Sequence, residues 1–298
     1  AYFPDNDFDS HDVGPQQALR TVANVDRWLG RLTHQFGGLS KLLREMAVIV
    51  TGDHAQSDVK NTADAGIDLR ELLSDYRVAT AGEAWNEGDD VMICPNLRAA
   101  QIYVRPRVGQ RFPQLVDALL ADDKVDQVLW RTLRDNEPSI FHVATAARGS
   151  LRFHQSTGRG TVVDDYGQTW HLEGSLQAVE ANVDDRGRIT SALYPNPLER
   201  IAMSFNGRCT GDVWVTARPG CEFSSTGSKL HARGGSHSSL HVDDSHTPLL
   251  MAGAPAGTSL PDHPRIVDVA PLCLQMLQVE SAFTVGGGRV NESTPATV

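Results

Sequence analysis

The sequence predicts an α/β fold, and three observations carry that prediction. The apolar, β-branched run at 48–50 (VIV) stops at Gly52, the pattern of a strand covered on both faces, as in a parallel sheet. Residues 39–46 read as a short helix that feeds straight into that strand, an αβ junction typical of a wound sheet. From 140 to 183, short β-type runs alternate with the turn sequences DDYGQ and DDRGR, which marks an antiparallel excursion set into the α/β unit.

A chain of 298 residues can bury one large α/β core, expected here over 1–279, with a polar, Gly-rich and flexible tail at 280–298. Apolar residues make up 40% and charged residues 21%, so the composition is that of an ordinary globular protein. No apolar run approaches the roughly 20 residues that span a bilayer. The opening AYFPDNDFDSHD lacks the basic and apolar regions of a signal peptide. Cys94, Cys209, Cys221 and Cys273 show no CxxC spacing and read as free thiols of a reducing, cytoplasmic compartment, with a Cys209–Cys221 bridge across a hairpin left open. A net charge of −10 argues against a nucleic-acid polymer as partner. A small phosphate ester is compatible with that charge, because bound metal ions would supply positive charge locally.

Taken in order, the chain opens with PDNDFDSHDVGP at 4–15, dense in carboxylates. Asp7 and His11 are four apart, which stacks them on one helix face or gathers them around one ion, and Asp5 and Asp9 are alternatives by slippage. Pro15 suits the first turn of a helix whose stripe, Ala18, Leu19, Val22, Val25, Leu29 and Leu32, is expected to cover a sheet face. The strand at 48–50 then delivers Asp53 and His54 beyond its carboxyl end, where α/β sites form, and Gly52 permits the turn that lets both reach one ion.

Helical character is expected at 67–76, strands at 91–96 (VMICPN) and 99–106 (AAQIYVRP), and one helix or two over 112–130. His142, His154 and His171 fall in β-type runs and read as surface or hydrogen-bonded core residues rather than ligands. A helix is expected at 197–205 and a strand within 211–220. The second informative stretch is GGSHSSLHVDDSHTPLLMAG at 234–253, whose glycines and serines allow close backbone approach before a strand resumes at 248–251. His237 is its best ligand candidate, since His241 and His246 lie in a polar run that reads as solvated. A helix capped by Asp268, with Pro271 in its first turns, closes the fold.

The order of PDNDFDSHDVGP, VIVTGDHAQS, YPNPLERIA, GGSHSSLHVDDSHTPLL and RIVDVAPLCLQML resembles the type I phosphodiesterase/nucleotide pyrophosphatase family of the alkaline phosphatase superfamily, over nearly the whole chain. The resemblance implies an alkaline-phosphatase-like α/β/α sandwich around a mostly parallel sheet. It implies two divalent metal ions, zinc in the first instance with manganese or iron as alternatives. Asp7, His11 and His237 would hold one ion, and Asp53 with His54 part of the other. The implied activity is hydrolysis of small phosphodiesters or nucleotide pyrophosphates. Phosphomonoesterase, phosphomutase and non-catalytic metal-binding homologues are the alternatives. In the family a Thr or Ser nucleophile and a further Asp ligand precede the PD…H motif. The catalytic set is therefore expected to be incomplete in the stretch from Ala1, and Ser10, Thr51 and Ser236 do not stand in the nucleophile's position. Ala55 and Ser238 occupy positions where the family usually has glycine after the two histidines.

Overall fold

Three helices, α1 (Asp5–Val13), α2 (Leu19–Gln35) and α3 (Leu39–Glu45), precede strand β1 (Val48–Thr51) in a computed structural model that describes residues 1–224 and 230–279. Short strands β2 (Ser57–Asp58) and β3 (Gly66–Asp68) lead to α4 (Leu69–Leu72) and β4 (Val78–Ala79). The hairpin β5 (Val91–Asn96) and β6 (Ala99–Val104) is followed by α5 (Phe112–Leu119) and the meander β7 (Val125–Arg134), β8 (Glu137–Thr145) and β9 (Gly149–Gln155). Next come β10 (Thr161–Val163), β11 (Thr169–Gly174), and the ribbon of β12 (Ala181–Val183) with β13 (Ile189–Ser191). The rest is α6 (Pro197–Ser204), β14 (Val213–Ala217), β15 (Glu222–Ser224), β16 (Gly235–Ser236), α7 (Val242–Ser245), β17 (Leu249–Ala252) and α8 (Val269–Met276). The expected tail at 280–298 lies outside the described residues, and no helix among those described is long and apolar enough to cross a membrane.

The α/β class is the one expected, built on a nine-stranded sheet of order β10-β11-β9-β8-β7-β14-β6-β5-β4. Where the sequence suggested a mostly parallel sheet, the pairings are mixed: β4 and β5 run parallel and the other neighbours antiparallel. The connections explain this. Only two residues, Leu97 and Arg98, join β5 to β6, with Leu97 at φ 58°, and Asn136 at φ 57° turns β7 into β8. Loops that short can join only antiparallel neighbours, since a parallel crossover needs a dozen or more residues. The excursion expected over 140–183 is present, and its strands β8 to β11 belong to this same sheet.

Alternation along β7 divides the core. Val128 faces one apolar cluster, with Ile93, Ile102, Leu115, Leu119 and Val215, while Leu129 faces the other, with Phe141, Phe153, Trp170, Leu198 and Phe205. Helices α5 and α6 thus cover opposite faces, giving three layers. Residues 125–130, read from sequence as helix, form the start of β7, because Val125 and Val128 fill the sheet's interior and override the local pattern. The helix expected over 67–76 shrinks to α4 with β3 ahead of it.

The layer that precedes the sheet departs most from expectation. β1 does form, but it pairs with β17 alone among the described residues, antiparallel, and Val48, Ile49 and Val50 are only half-buried. It is neither central nor covered on both faces. The apolar stripe expected to cover a sheet face is only partly enclosed: Leu19 is 59% and Val22 49% exposed, Val25, Leu29 and Leu32 are half-buried, and Thr21 is the helix's one buried residue. All four cysteines are free, so no bridge joins Cys209 to Cys221.

Candidate metal centre

Three segments far apart in sequence meet beside the β2–β16 ribbon, where Ser57 pairs with Ser236 and Asp58 with Gly235. Helix α1 brings Asp7 and His11, one turn apart. The turn after β1 brings Asp53 and His54, and the loop after β16 brings His237. Glycine makes the approach of α1 possible. A side chain on Gly234 would run into the carbonyl oxygen of His11, and one on Gly235 would lie 2.9 Å from that of Ser10 and against Gln56.

The imidazoles share one orientation. His11 Nδ1 is 2.8 Å from Gly235 O and His54 Nδ1 is 3.2 Å from Ala55 O. A carbonyl oxygen only accepts, so each Nδ1 carries a proton, and the neutral tautomer this selects is the one whose Nε2 keeps its lone pair. His237 Nδ1 lies 3.0 Å from Ser238 Oγ, an acceptor able to fix the same tautomer. The three free Nε2 atoms then face a single oxygen, Asp7 Oδ1, at 3.5 Å from His11, 3.7 Å from His54 and 3.6 Å from His237. These separations are too long for good hydrogen bonds; for His54 and His237 they suit ligand atoms arranged with Asp7 about a common centre, a group that takes in His54 where the sequence suggested His11. The ligand atoms of Asp7, His54 and His237 all lie within 4.8 Å of one another.

Electrostatics agree with a neutral His237 ring. Burial pushes His237 down from its ordinary 6.5 to about 4, assisted by the nearby His54 and His11 and opposed by Asp7 and Asp244. His54 and His237 stack with centroids 3.7 Å apart. An oriented neutral imidazole whose other nitrogen is hydrogen-bonded is the form in which histidine binds a metal ion.

All five residues singled out from the sequence gather here, with differences in detail. His54 Nε2 sits between two carboxylates, 3.7 Å from Asp7 Oδ1 and 3.9 Å from Asp53 Oδ1, so it belongs with Asp7 and His237 as much as with Asp53. Asp53 is the outermost, its side chain 74% exposed and its Oδ1 accepting from His54 N at 3.1 Å. His241 caps α7 by accepting from Asp243 N, and His142 stacks on Trp130; neither joins the group. Ala55 needs no positive φ, whereas Ser238 sits at φ 89°, a conformation natural to glycine.

Sequence reasoning passed over three residues. Gln56 Nε2 donates to Asp7 Oδ1 at 2.6 Å; it follows the Asp-His pair by two residues in the same turn, which was its one signal. His231, with its ring 4.7 Å from that of His11, is held by the buried carboxylate of Glu222, whose Oε1 accepts from His231 N at 2.7 Å. Asp244, fully buried, was visible only as part of an acidic pair, Asp243-Asp244.

No match to the chain is found among curated proteins or solved structures. A family model does match, that of type I phosphodiesterase/nucleotide pyrophosphatase, over residues 1–240, a span holding Asp7, His11, Asp53, His54 and His237. With four-fifths of its length so matched, the chain belongs to the type I phosphodiesterase/nucleotide pyrophosphatase family.

Proposed function

We propose that this chain is a metal-dependent hydrolase of small phosphate esters, acting on phosphodiesters or nucleotide pyrophosphates, with Asp7, His11, Asp53, His54 and His237 as ligands to two divalent ions, zinc by preference. The observation that carries the reading is the convergence of three imidazole Nε2 atoms on Asp7 Oδ1 at 3.5–3.7 Å, with each Nδ1 engaged elsewhere. Mixed imidazole and carboxylate donors suit zinc. Family membership supports the hydrolase class.

A bound ion pair would supply positive charge for the phosphoryl oxygens and an activated attacking oxygen. The chain's own part is positional. Gly235 O and Ala55 O hold His11 and His54 in the tautomer that leaves Nε2 free, and Gln56 turns the carboxylate of Asp7 toward the rings. Burial keeps His237 neutral at the pH of catalysis, so a proton does not compete for its lone pair.

The test is a zinc titration of the full chain against a chromophoric chelator, alongside turnover of a chromogenic phosphodiester. Specific binding is expected, and His237→Ala should weaken it at least tenfold, the scale on which loss of even an outer partner acts. Failure of zinc, manganese and iron alike to bind above the level of a surface site would end the proposal.

A further inference from the structure

Beyond the β2–β16 pairing that joins Ser57 to Ser236, the 53–57 turn and the 237–241 loop are tied to one another a second time, through a buried carboxylate that takes no direct place in the candidate centre. Asp244 Oδ1 accepts from Ser57 Oγ at 3.0 Å and from the Arg98 guanidinium. Its Oδ2 accepts from Ser239 N at 2.9 Å and Ser239 Oγ at 2.6 Å, and its carbonyl oxygen accepts from Ala55 N at 2.9 Å. Ser57 and Ala55 flank Gln56 just after His54, and Ser239 lies two residues after His237. Arg98 completes the tie from the scaffold: its backbone N donates to His237 O at 2.9 Å, and its Nη2 to Ala217 O at 3.3 Å at the end of β14. The Arg98 and Asp244 side chains are almost wholly sealed from solvent.

We propose that Asp244, locked by Arg98, is the positioning residue that sets the spacing between the His54 turn and the His237 loop, and through it the geometry of the candidate metal centre. The inference rests on the metal reading for its functional meaning, while the coupling of the two segments stands independently of it. A charge with four side-chain and backbone donors cannot shift without unpairing one of them in a low-dielectric interior, and the two segments therefore move together or not at all. A role confined to local folding would anchor one segment; Asp244 takes two hydrogen bonds from each, from Ser57 and Ala55 on one side and from Ser239 on the other.

Ser57→Ala and Ser239→Ala each remove one hydroxyl donor from opposite sides of the carboxylate without stranding it, and Asp244→Asn replaces one accepting oxygen with an amide. Thr145→Ala, which removes a hydroxyl bonded to Gly149 O in the distant β8–β9 turn, is the control for a small loss of stability. Hydrogen exchange on the metal-free full chain should show faster exchange in both 53–58 and 235–241 for each site variant. Zinc binding should weaken about tenfold in all three and stay unchanged in Thr145→Ala. Exchange that quickens only in the segment carrying the substitution would overturn the inference, and so would loosening of both segments at unchanged zinc affinity. If the unaltered chain binds no zinc, the metal reading fails, and the exchange pattern alone upholds or overturns the coupling.

Discussion

The nine-stranded sheet and the layer that carries the candidate ligands are built on different principles. Within the sheet, adjacent residues of one strand enter separate apolar clusters, and side chains such as Trp170, Phe153, Ile102 and Leu151 are wholly enclosed. In the other layer, α1, α2 and α3 each bury a single residue, Ser10, Thr21 and Leu42. Polar contacts and close backbone approach hold that layer: Gly234 and Gly235 under α1, Gln56 on Asp7, and Asp244 between the two loops. Apolar burial thus resides mostly in one region and the candidate ligands in the other, and damage to the two should be separable.

The largest separation is expected for Phe153→Ala. Its ring packs against Phe141 and Trp170 with centroids 5.5 Å and 5.6 Å away, and truncation should cost about 3–5 kcal/mol in denaturant unfolding. Zinc affinity of the fraction that remains folded should not change. Gly234→Ala should do the reverse. Crowding against the His11 carbonyl costs about 1–3 kcal/mol as overpacking, and the shift of α1 should lower zinc affinity by more than tenfold; an unchanged affinity would show that α1 tolerates the displacement.

A smaller effect is expected at Asp90, in the scaffold. Burial alone would raise its carboxyl, but the hydrogen bond from Arg77 N and the guanidinium groups of Arg107 and Arg111 more than offset this and hold it below its ordinary 3.8. A depressed carboxyl contributes stability that is complete above the unfolded value and disappears as pH falls through the folded one. Asp90→Asn should therefore be less stable than the parent at pH 7, and the gap should close below about pH 3.8. A gap independent of pH would mean that shape rather than charge matters there.

Ser238→Gly should have the smallest effect on stability, a gain of up to about 1 kcal/mol from relief of the positive φ. Loss of the hydroxyl on His237 Nδ1 should nevertheless weaken zinc binding several-fold, a trade measurable by melting and titration of the same sample. Unchanged binding would mark the hydroxyl as incidental.

How much of this was legible in the sequence follows the same division. The five candidate ligands were legible because Asp-His after a β-branched run, Asp and His one helical turn apart, and His after paired glycines are local patterns with local causes. The glycines in particular announced a close approach, and α1 is what approaches. Strand direction was less accessible, because it depends on turns such as Leu97-Arg98 that carry no glycine or proline signal, with Leu97 accepting a positive φ under tertiary constraint. Segment 125–130 misread as helix because burial in the sheet, invisible locally, overrode periodicity. Glu222, His231 and Asp244 were illegible for a further reason: their partners stand 5 to 187 residues away, and nothing in their own neighbourhood distinguishes them from solvated polar residues.

The exposed apolar side chains of α2 have a practical corollary for anyone handling the protein. Leu19, Val22 and Trp28, together with Leu39 and Leu250, offer water the kind of surface that folding ordinarily hides, and among the described residues the two strands of the β1–β17 ribbon pair only with each other. A fluorescent dye that lights up on apolar surface will bind the native protein before any heat is applied. Melting curves read by such a dye will start from a bright baseline and understate the transition, whereas far-ultraviolet circular dichroism, which reports on the nine-stranded sheet and the helices, will record it in full.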